Sequence, residues 1–197
     1  SGISASSPRA ARTLLGLKEN AAAYTNLAVV NLGGDPAVAN VTLMDQGGSP
    51  LGVPVRFALG PYGVAQVGRI LAAAGVSQPA DTFVAVVTLV SGTSVVPYAS
   101  VIDVLSKDPI VVTPTATPAS SYRLPGIVRT RGQGNTFFRS DFYLHNPSTQ
   151  IRKLNVSYSY RSGDGPRFVA SNVLILQPLQ TIELDDFVKE WLKLPSS

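Results

Sequence analysis

Asn26-Leu27-Ala28-Val29-Val30-Asn31-Leu32 and Asp141-Phe142-Tyr143-Leu144-His145-Asn146-Pro147 are the two stretches whose reading decides the fold. Each is an apolar strand that ends at an Asn and runs into turn residues. Ten residues beyond each Asn comes another strand, Val41-Thr42-Leu43-Met44 in one case and Val156-Ser157-Tyr158-Ser159 in the other. Further on, Leu59-Gly60-Pro61-Tyr62-Gly63-Val64-Ala65-Gln66-Val67 matches Leu176-Gln177-Pro178-Leu179-Gln180-Thr181-Ile182-Glu183-Leu184. The offset is 115 residues at the Asn (31 to 146) and 117 at the Pro (61 to 178). An insertion in a hairpin loop accounts for the slip, so the chain reads as one β module written twice.

Composition agrees with many short strands. Apolar residues make up 45% and charged residues 14%, the latter well below the ~25% of an average globular chain. A disordered chain has the opposite balance. Gly (17) and Pro (15) supply turns. There is no Cys, which excludes a disulfide scaffold and a thiolate metal site. No stretch reaches the ~18 apolar residues of a membrane span. The first eight residues are small and polar, without the basic and apolar regions of a signal peptide, as a mature end left after cleavage or a scar of recombinant expression would be. Low charge, absent Cys and a surface rich in Ser, Thr and Gly suggest a secreted bacterial protein.

Along the chain, Leu14–Lys18 reads as a first strand. Val55, Phe57 and Leu59 alternate with Arg56 and Ala58 as a half-buried strand. Gly68–Gly75 reads as a short helix closed by Gly. Phe83–Val90 is apolar on both faces, the mark of a fully buried central strand. It returns as Val95–Val104, where Pro97 removes a donor and predicts an edge or a bulge. The Thr/Pro run at 114–121 favours extended polyproline conformation and is the expected linker between a first unit at 1–113 and a second at 122–197. Phe137–Leu144 reads as a strand. Leu154, Val156, Tyr158 and Tyr160 share one face of the next strand, with Asn155, Ser157, Ser159 and Arg161 on the other. Asp185 is placed to cap a helix from Asp186 to about Leu194, with Phe187, Val188, Trp191 and Leu192 on its apolar face.

In the first unit the helix leads into the long hairpin of residues 83–104. The second unit has no such hairpin, so its sandwich is short of central strands. Either those residues are absent from this chain, or the strands come from the first unit or from another molecule.

Asn26–Leu32 with Gly33-Gly34, Leu59-Gly60-Pro61-Tyr62-Gly63, Tyr98-Ala99-Ser100-Val101-Ile102-Asp103, Phe142–Pro147 and Leu176-Gln177-Pro178 together resemble the tandem immunoglobulin-like β-sandwich modules of secreted bacterial proteins, which often lie beside protease or adhesin domains. The resemblance implies an all-β fold of two immunoglobulin-like sandwich units in tandem, each with a short helix. It also implies a secreted or cell-surface setting, and it carries no catalytic residue.

Candidate chemistry is sparse. His145 is the only His; it stands where the first unit has Val30, with no nucleophile–acid set to make it catalytic and no Cys to make it a zinc ligand. Asp185-Asp186 reads as a helix cap before a carboxylate pair or a Ca²⁺ site. Gly132-Gln133-Gly134 lacks the strand–loop–helix context of a phosphate loop. Residues 1–113 hold six basic and six acidic residues and residues 114–197 hold ten and six, so the net +4 belongs to the second unit. Arg129, Arg131, Arg139, Arg152, Lys153, Arg161 and Arg167, with Phe137, Phe138, Tyr158 and Tyr160 nearby, form the candidate polyanion-binding set, for an acidic polysaccharide before nucleic acid. Neither enzyme chemistry nor a cofactor is expected. The leading expectation is a non-catalytic extracellular structural or adhesion module that self-assembles through strand pairing, favouring a filament. The alternative is a carbohydrate- or polyanion-binding accessory domain of a secreted enzyme, and a hydrolase comes third.

Overall fold

The computed structural model describes residues 11–114, 121–124, 126–134, 136–162 and 165–190, with the backbone alone for 160–162 and 165–170. The chain divides into two compact units, Ser1–Ala119 and Ser120–Ser197. The segment read as a linker falls mostly on 115–120, outside the described residues.

The first unit runs β1 (Arg12–Glu19), β2 (Ala23–Asn31), β3 (Ala37–Met44), β4 (Pro50–Leu59), β5 (Val64–Val67), α1 (Ile70–Ala73), β6 (Ala80–Ser91), β7 (Val95–Asp103) and β8 (Pro109–Val112). The strands form two four-stranded antiparallel sheets, ordered β1-β6-β3-β4 and β5-β2-β7-β8. Period-2 alternation sends one face of each inward. Leu14, Leu17, Ala39, Val41, Leu43, Phe57, Phe83 and Val87 from the first sheet meet Leu27, Val29, Val95, Ala99 and Val101 from the second in one buried cluster. Ile70, Leu71 and Ala74 of the α1 region close one part of it. Among the described residues the chain is all-β apart from two short helices.

β6 is central, between β1 and β3, and its Phe83, Val84, Ala85 and Val87 are buried, but Thr88 and Val90 are exposed, so the expectation of a fully buried strand over Phe83–Val90 is corrected; so is the expected hairpin of 83–104, because β6 and β7 lie in different sheets and do not pair. β7 is also interior, between β2 and β8, so the edge or bulge expected from Pro97 is corrected. The reason is local. Leu32 N–H donates to the Ser94 carbonyl across the β2–β7 ladder. Counting in twos from that pair, the Pro97 nitrogen faces away from β2. On that side β8 pairs only with Ala99–Ile102 and has ended before Pro97 is reached. The missing donor therefore costs no ladder bond.

The second unit contains β9 (Arg129–Arg131), β10 (Phe137–Arg139), β11 (Phe142–His145), β12 (Arg152–Ser162), β13 (Gly165–Leu176), β14 (Thr181–Leu184) and α2 (Phe187–Glu190). The strand expected at Phe137–Leu144 is two strands, broken at Ser140-Asp141, where each residue makes a bond of its own. The Ser140 carbonyl accepts from Phe187 N–H at 3.0 Å, and Asp141 Oδ1 accepts from Asp186 N–H at 2.8 Å. The residue that opens α2 is Asp186, whose carbonyl accepts from Lys189 and Glu190. The cap position read at Asp185 is therefore one residue too early.

The repeat holds residue by residue. Leu27, Ala28, Val29 and Val30 pair with Val67, Gln66, Ala65 and Val64. Phe142, Tyr143, Leu144 and His145 pair with Leu184, Glu183, Ile182 and Thr181, at the same two offsets. Ala37↔Leu59 through Val41↔Val55 recur as Arg152↔Leu176 through Val156↔Asn172. The two extra residues of the second copy thus lie in the β12–β13 hairpin. Backbone strain repeats as well: Tyr62 and Leu179 have φ of 52 and 59, and Arg69 and Asp186 have φ of 50 and 39, a region side chains usually avoid.

Asn31 and Asn146 are the deepest common feature, 1% and 2% exposed. Asn31 Nδ2 donates to the carbonyls of Asp35 (2.7 Å) and Gly60 (2.8 Å), and its Oδ1 accepts from Gly33 N–H (2.9 Å). Asn146 Nδ2 donates to the carbonyls of Gln150 (2.7 Å) and Gln177 (2.9 Å), and its Oδ1 accepts from Ser148 N–H (3.1 Å). Each of these partners obeys the 115 or 117 offset, and Asn146 adds two contacts of its own, Nδ2 to the Leu176 carbonyl (3.3 Å) and Oδ1 from Ser148 Oγ (2.8 Å). The amide ties the loop from β2 to β3 to the turn from β4 to β5, so one side chain fastens two of the crossings between the layers. Replacing Asn31 with Asp keeps the shape but turns a two-bond donor toward two carbonyls into an acceptor. We expect Asn31→Asp and Asn146→Asp each to destabilise their own unit by about 3 kcal/mol, the cost of stranding buried polar groups. Amide exchange resolved by unit checks this; a loss below about 1 kcal/mol would show the hub to be dispensable.

Candidate functional site

Among the described residues, β11 pairs with β14 alone and β12 with β13 alone. Their counterparts in the first unit, β2 and β3, each have a second neighbour, β7 and β6. Among the described residues β11 and β12 thus have a paired strand on one side each, where β2 and β3 have one on both. Side-chain exposure follows. Leu27, Val29, Ala39, Val41 and Leu43 are at most 1% exposed, whereas Phe142, Leu144, Leu154, Val156 and Tyr158 at the matching positions are only half-buried. Full burial of such a side chain contributes roughly 1.5–3 kcal/mol, and here part of it is not realised. Toward the β13–β14 end the core is complete: Leu176 is as buried as its counterpart Leu59, and Phe187 and Val188 are buried.

What holds the second unit together lies on that completed side. The Phe142 and Phe187 rings meet edge to face at 4.9 Å, a favourable arrangement for aromatic quadrupoles. Arg129 Nε donates to Asp186 Oδ2 at 3.0 Å, with both side chains about 15% exposed. Tyr143 Oη donates to Glu183 Oε1 at 2.7 Å across the β11–β14 pair. In the first unit the equivalent of Asp186 is Arg69, whose guanidinium lies 4.6 Å over the Tyr24 ring. There the helix is capped from elsewhere, with Leu71 N–H on Glu19 Oε2 at 3.3 Å.

The seven basic candidates do not gather. Arg129, Arg131 and Arg139 lie on the β9–β10 hairpin, where Arg129 and Arg139 face each other in register. Arg129 is bound to Asp186, its guanidinium 5.0 Å from the Phe137 ring. Arg139 sits 3.5 Å from Asp141 Oδ1. Arg131 is exposed and, with Gly134, Thr136 and Phe137, lines an open surface depression. Arg152 and Lys153 begin β12, and Arg152 Nε donates to Ser148 Oγ at 3.1 Å. Arg161 and Arg167 lie at the far end of the β12–β13 hairpin, about 30 Å along the strand from Arg152 at ~3.3 Å per residue. Gly132-Gln133-Gly134 is the tip of the β9–β10 hairpin, closed by Gly132 N–H on the Thr136 carbonyl at 2.8 Å.

His145 ends β11 with Nδ1 2.9 Å from Thr181 Oγ1. Burial pushes its imidazole below the ordinary value, against an opposing contribution from the Gln180 carbonyl. Asp185 is exposed and Asp186 is taken up by Arg129. Among the described residues no cluster of three or more His, Cys, Asp or Glu is placed to hold a metal ion. No helix among them is long and apolar enough to cross a membrane, which says nothing of a β-barrel.

No protein-family model matches the chain, and no curated protein matches it. Among solved structures, the crystal structure titled Thermotoga maritima 1070 is similar at 13% identity over 52% of this chain and 90% of that one. Its TM-score of 0.39 is too low for the likeness to carry any weight.

The sequence expectation puts an open side in the second unit and names the basic set as the alternative binding surface; the structure adds that β11 and β12 are the strands with one described neighbour each, and that Leu154, Val156 and Tyr158 form a half-buried apolar stripe on β12.

Two outcomes follow. Arg129→Gln leaves the largely buried Asp186 carboxylate without its cation, and we expect a loss of about 3 kcal/mol from the second unit. Denaturation followed through Trp191, which belongs to that unit, reads it; an unchanged midpoint would show the pair to be solvent-like. The folded His145 holds its proton less tightly than the unfolded one, so the unfolded state binds more protons as pH falls. The second unit then loses stability as pH drops through the ordinary imidazole value near 6.5 and below. His145→Gln should flatten that slope between about pH 7 and 5.

Proposed function

We propose that the chain is a non-catalytic structural or adhesion module of a secreted or cell-surface protein, built as two immunoglobulin-like sandwich units. Its second unit works by β-strand complementation: a neighbouring molecule supplies the strands that complete its layers. The observation that carries this reading is the contrast between copies. The same residues at the same offsets are covered by β6 and β7 in the first unit and are half-buried in the second, on strands with one paired neighbour among the described residues. An edge strand presents a row of free donors and acceptors that templates another strand, and strand addition is a recurrent recognition mode. The polyanion reading draws less support, because Arg129 and Arg139 are engaged by Asp186 and Asp141 and the remaining basic residues are divided between β9 and the two ends of the β12–β13 hairpin.

Hydrogen exchange on the free chain tests it. Amides of β2 and β3 should be strongly protected. Those of β11 and β12 that face away from β14 and β13 should exchange at least about a hundred-fold faster, as expected of low-stability edges. Equal protection in a monomeric chain would mean that the edges are already satisfied, and the reading would fall.

A further inference from the structure

One outer face of the first unit carries no charge. In the sheet β5-β2-β7-β8, Leu27, Val29, Val95, Ala99 and Val101 point into the core, so the residues between them point outward. Cross-strand register sets the outward residues in rows, and the two middle rows are Gln66-Ala28-Tyr98 and Asn26-Ser100-Val111. No outward position of these four strands is acidic, basic or His, although residues 1–113 hold six residues of each sign. The second copy shows that the fold does not require this. At the repeat offsets, Asn26, Val30 and Gln66 become Asp141, His145 and Glu183. Tyr143, in the place of Ala28, donates to Glu183 at 2.7 Å. A polar and charged outer face is the ordinary state of an antiparallel sheet with one side on a core, and the first unit departs from it.

We propose that this face binds a neutral polysaccharide, with Tyr98 as its stacking platform. The proposal concerns the first unit and stands apart from strand complementation in the second.

The setting of Tyr98 carries it. Ala28 points outward and is nevertheless only 1% exposed. Its partners on that face are Tyr98 and Gln66. A methyl group in that position is covered by a large neighbour lying over it, so the half-buried Tyr98 ring lies across the sheet and turns a face to solvent. Beside it stand an amide from Gln66 and a hydroxyl from Ser100. Asn26 commits its Oδ1 to the Arg69 N–H at 3.1 Å, which leaves Nδ2 as a donor. At one end, the Arg69 guanidinium lies 4.6 Å over the Tyr24 ring. That ring face is taken, so Tyr98 is the open platform.

An aromatic face among uncharged amides and hydroxyls is the complement of a sugar. The ring of a sugar offers apolar C–H faces to the negative face of Tyr98, and its hydroxyls both donate and accept. A few well-placed polar groups on an apolar surface then set orientation. A second copy laid sheet on sheet fits worse. It would take the middle rows, with Gln66, Asn26 and Ser100, out of water against another sheet, and each polar group left unpaired there costs free energy. A chain of hydroxylated rings supplies those partners along its whole length.

Titration calorimetry of the full chain with cellohexaose, xylohexaose, mannohexaose and maltohexaose tests the proposal. At least one should bind with a Kd below about 1 mM. Its affinity should be the same at low and high salt, because no charges meet across the contact. Tyr98→Ala should weaken binding at least about ten-fold, and Tyr98→Phe, which keeps the ring, by less than about three-fold. Amide exchange of β2 and β7 reports whether the sheet is intact. If Tyr98→Ala disturbs it, Ser100→Lys takes its place, since it sets a long side chain on the face without touching the core, and the same loss is expected. Tyr143→Ala, in the second unit, should leave binding unchanged. No saturable binding of any of the four sugars, binding that survives the loss of Tyr98 or the Ser100→Lys obstruction, or binding that fades with salt would overturn the proposal. Dimers that form with concentration and vanish in Tyr98→Ala would give the face to a second copy instead. None of these outcomes depends on exchange at β11 and β12, so the complementation reading stands or falls separately.

Discussion

Two buried carboxamides carry the architecture. In a sandwich, the chain must leave one layer and enter the other, and its backbone groups go unpaired where it does so. Asn31 resolves that problem for two crossings at once, because one amide donates twice and accepts once. No other residue of that size has this inventory: Asp cannot donate, Ser and Thr have a single donor, and Gln is longer by one methylene. Asn146 makes the same three kinds of bond in the second unit. The surrounding strands differ in nearly every side chain, yet the amide and its partners keep their positions. Core volume tolerates exchange as long as it stays apolar, whereas a buried polar hub must have all of its partners or none.

The left-handed residues follow from the same constraint. Once the turn after β4 has presented the Gly60 carbonyl to Asn31, it must reverse to send Gly63 back along β2, where the Gly63 carbonyl accepts from Asn31 N–H at 2.8 Å. Tyr62, at φ 52, makes that reversal, and Leu179 makes it in the second unit at φ 59. Neither is Gly, so each turn holds some strain. The hydrogen bonds of the hub on either side offset it.

Much of this was legible in the residues and some was not. Alternation and turn chemistry located the strands, and the paired Asn residues marked the repeat, including the two-residue slip. The role of the amide was not legible, since a strand-terminal Asn is usually a turn former; only the simultaneous return of Gly60 and Gln177 at a shifted offset hinted at a long-range partner. Pro97 misled because the rule for proline concerns the hydrogen-bonding side of a residue, and sequence does not say where the neighbouring strand stops. The split of Phe137–Leu144 was hidden for a related reason: Ser140 and Asp141 leave the ladder to serve α2, a contact 45 residues or more away in sequence. Basic residues clustered in the sequence suggest a surface patch, but they fall on two separate hairpins, β9–β10 and β12–β13, and acidic neighbours take two of them.

The same geometry explains why the second unit can stay assembled with two edges open. Its fixed contacts all lie on the β13–β14 side: the Asn146 hub, the Phe142–Phe187 rings, and the Arg129–Asp186 pair that anchors the start of α2. In the first unit, the position of Asp186 is held by Arg69 against Tyr24, and the helix cap comes from Glu19 on β1. The second unit has replaced a cap supplied by an outer strand with an ion pair drawn from its own β9 and α2. That substitution lets α2 be held without a counterpart of the Glu19 contact. It leaves β11 and β12 as a preformed, partly apolar edge pair, whose backbone direction and spacing are already set by strands that do not need the occupant in order to fold.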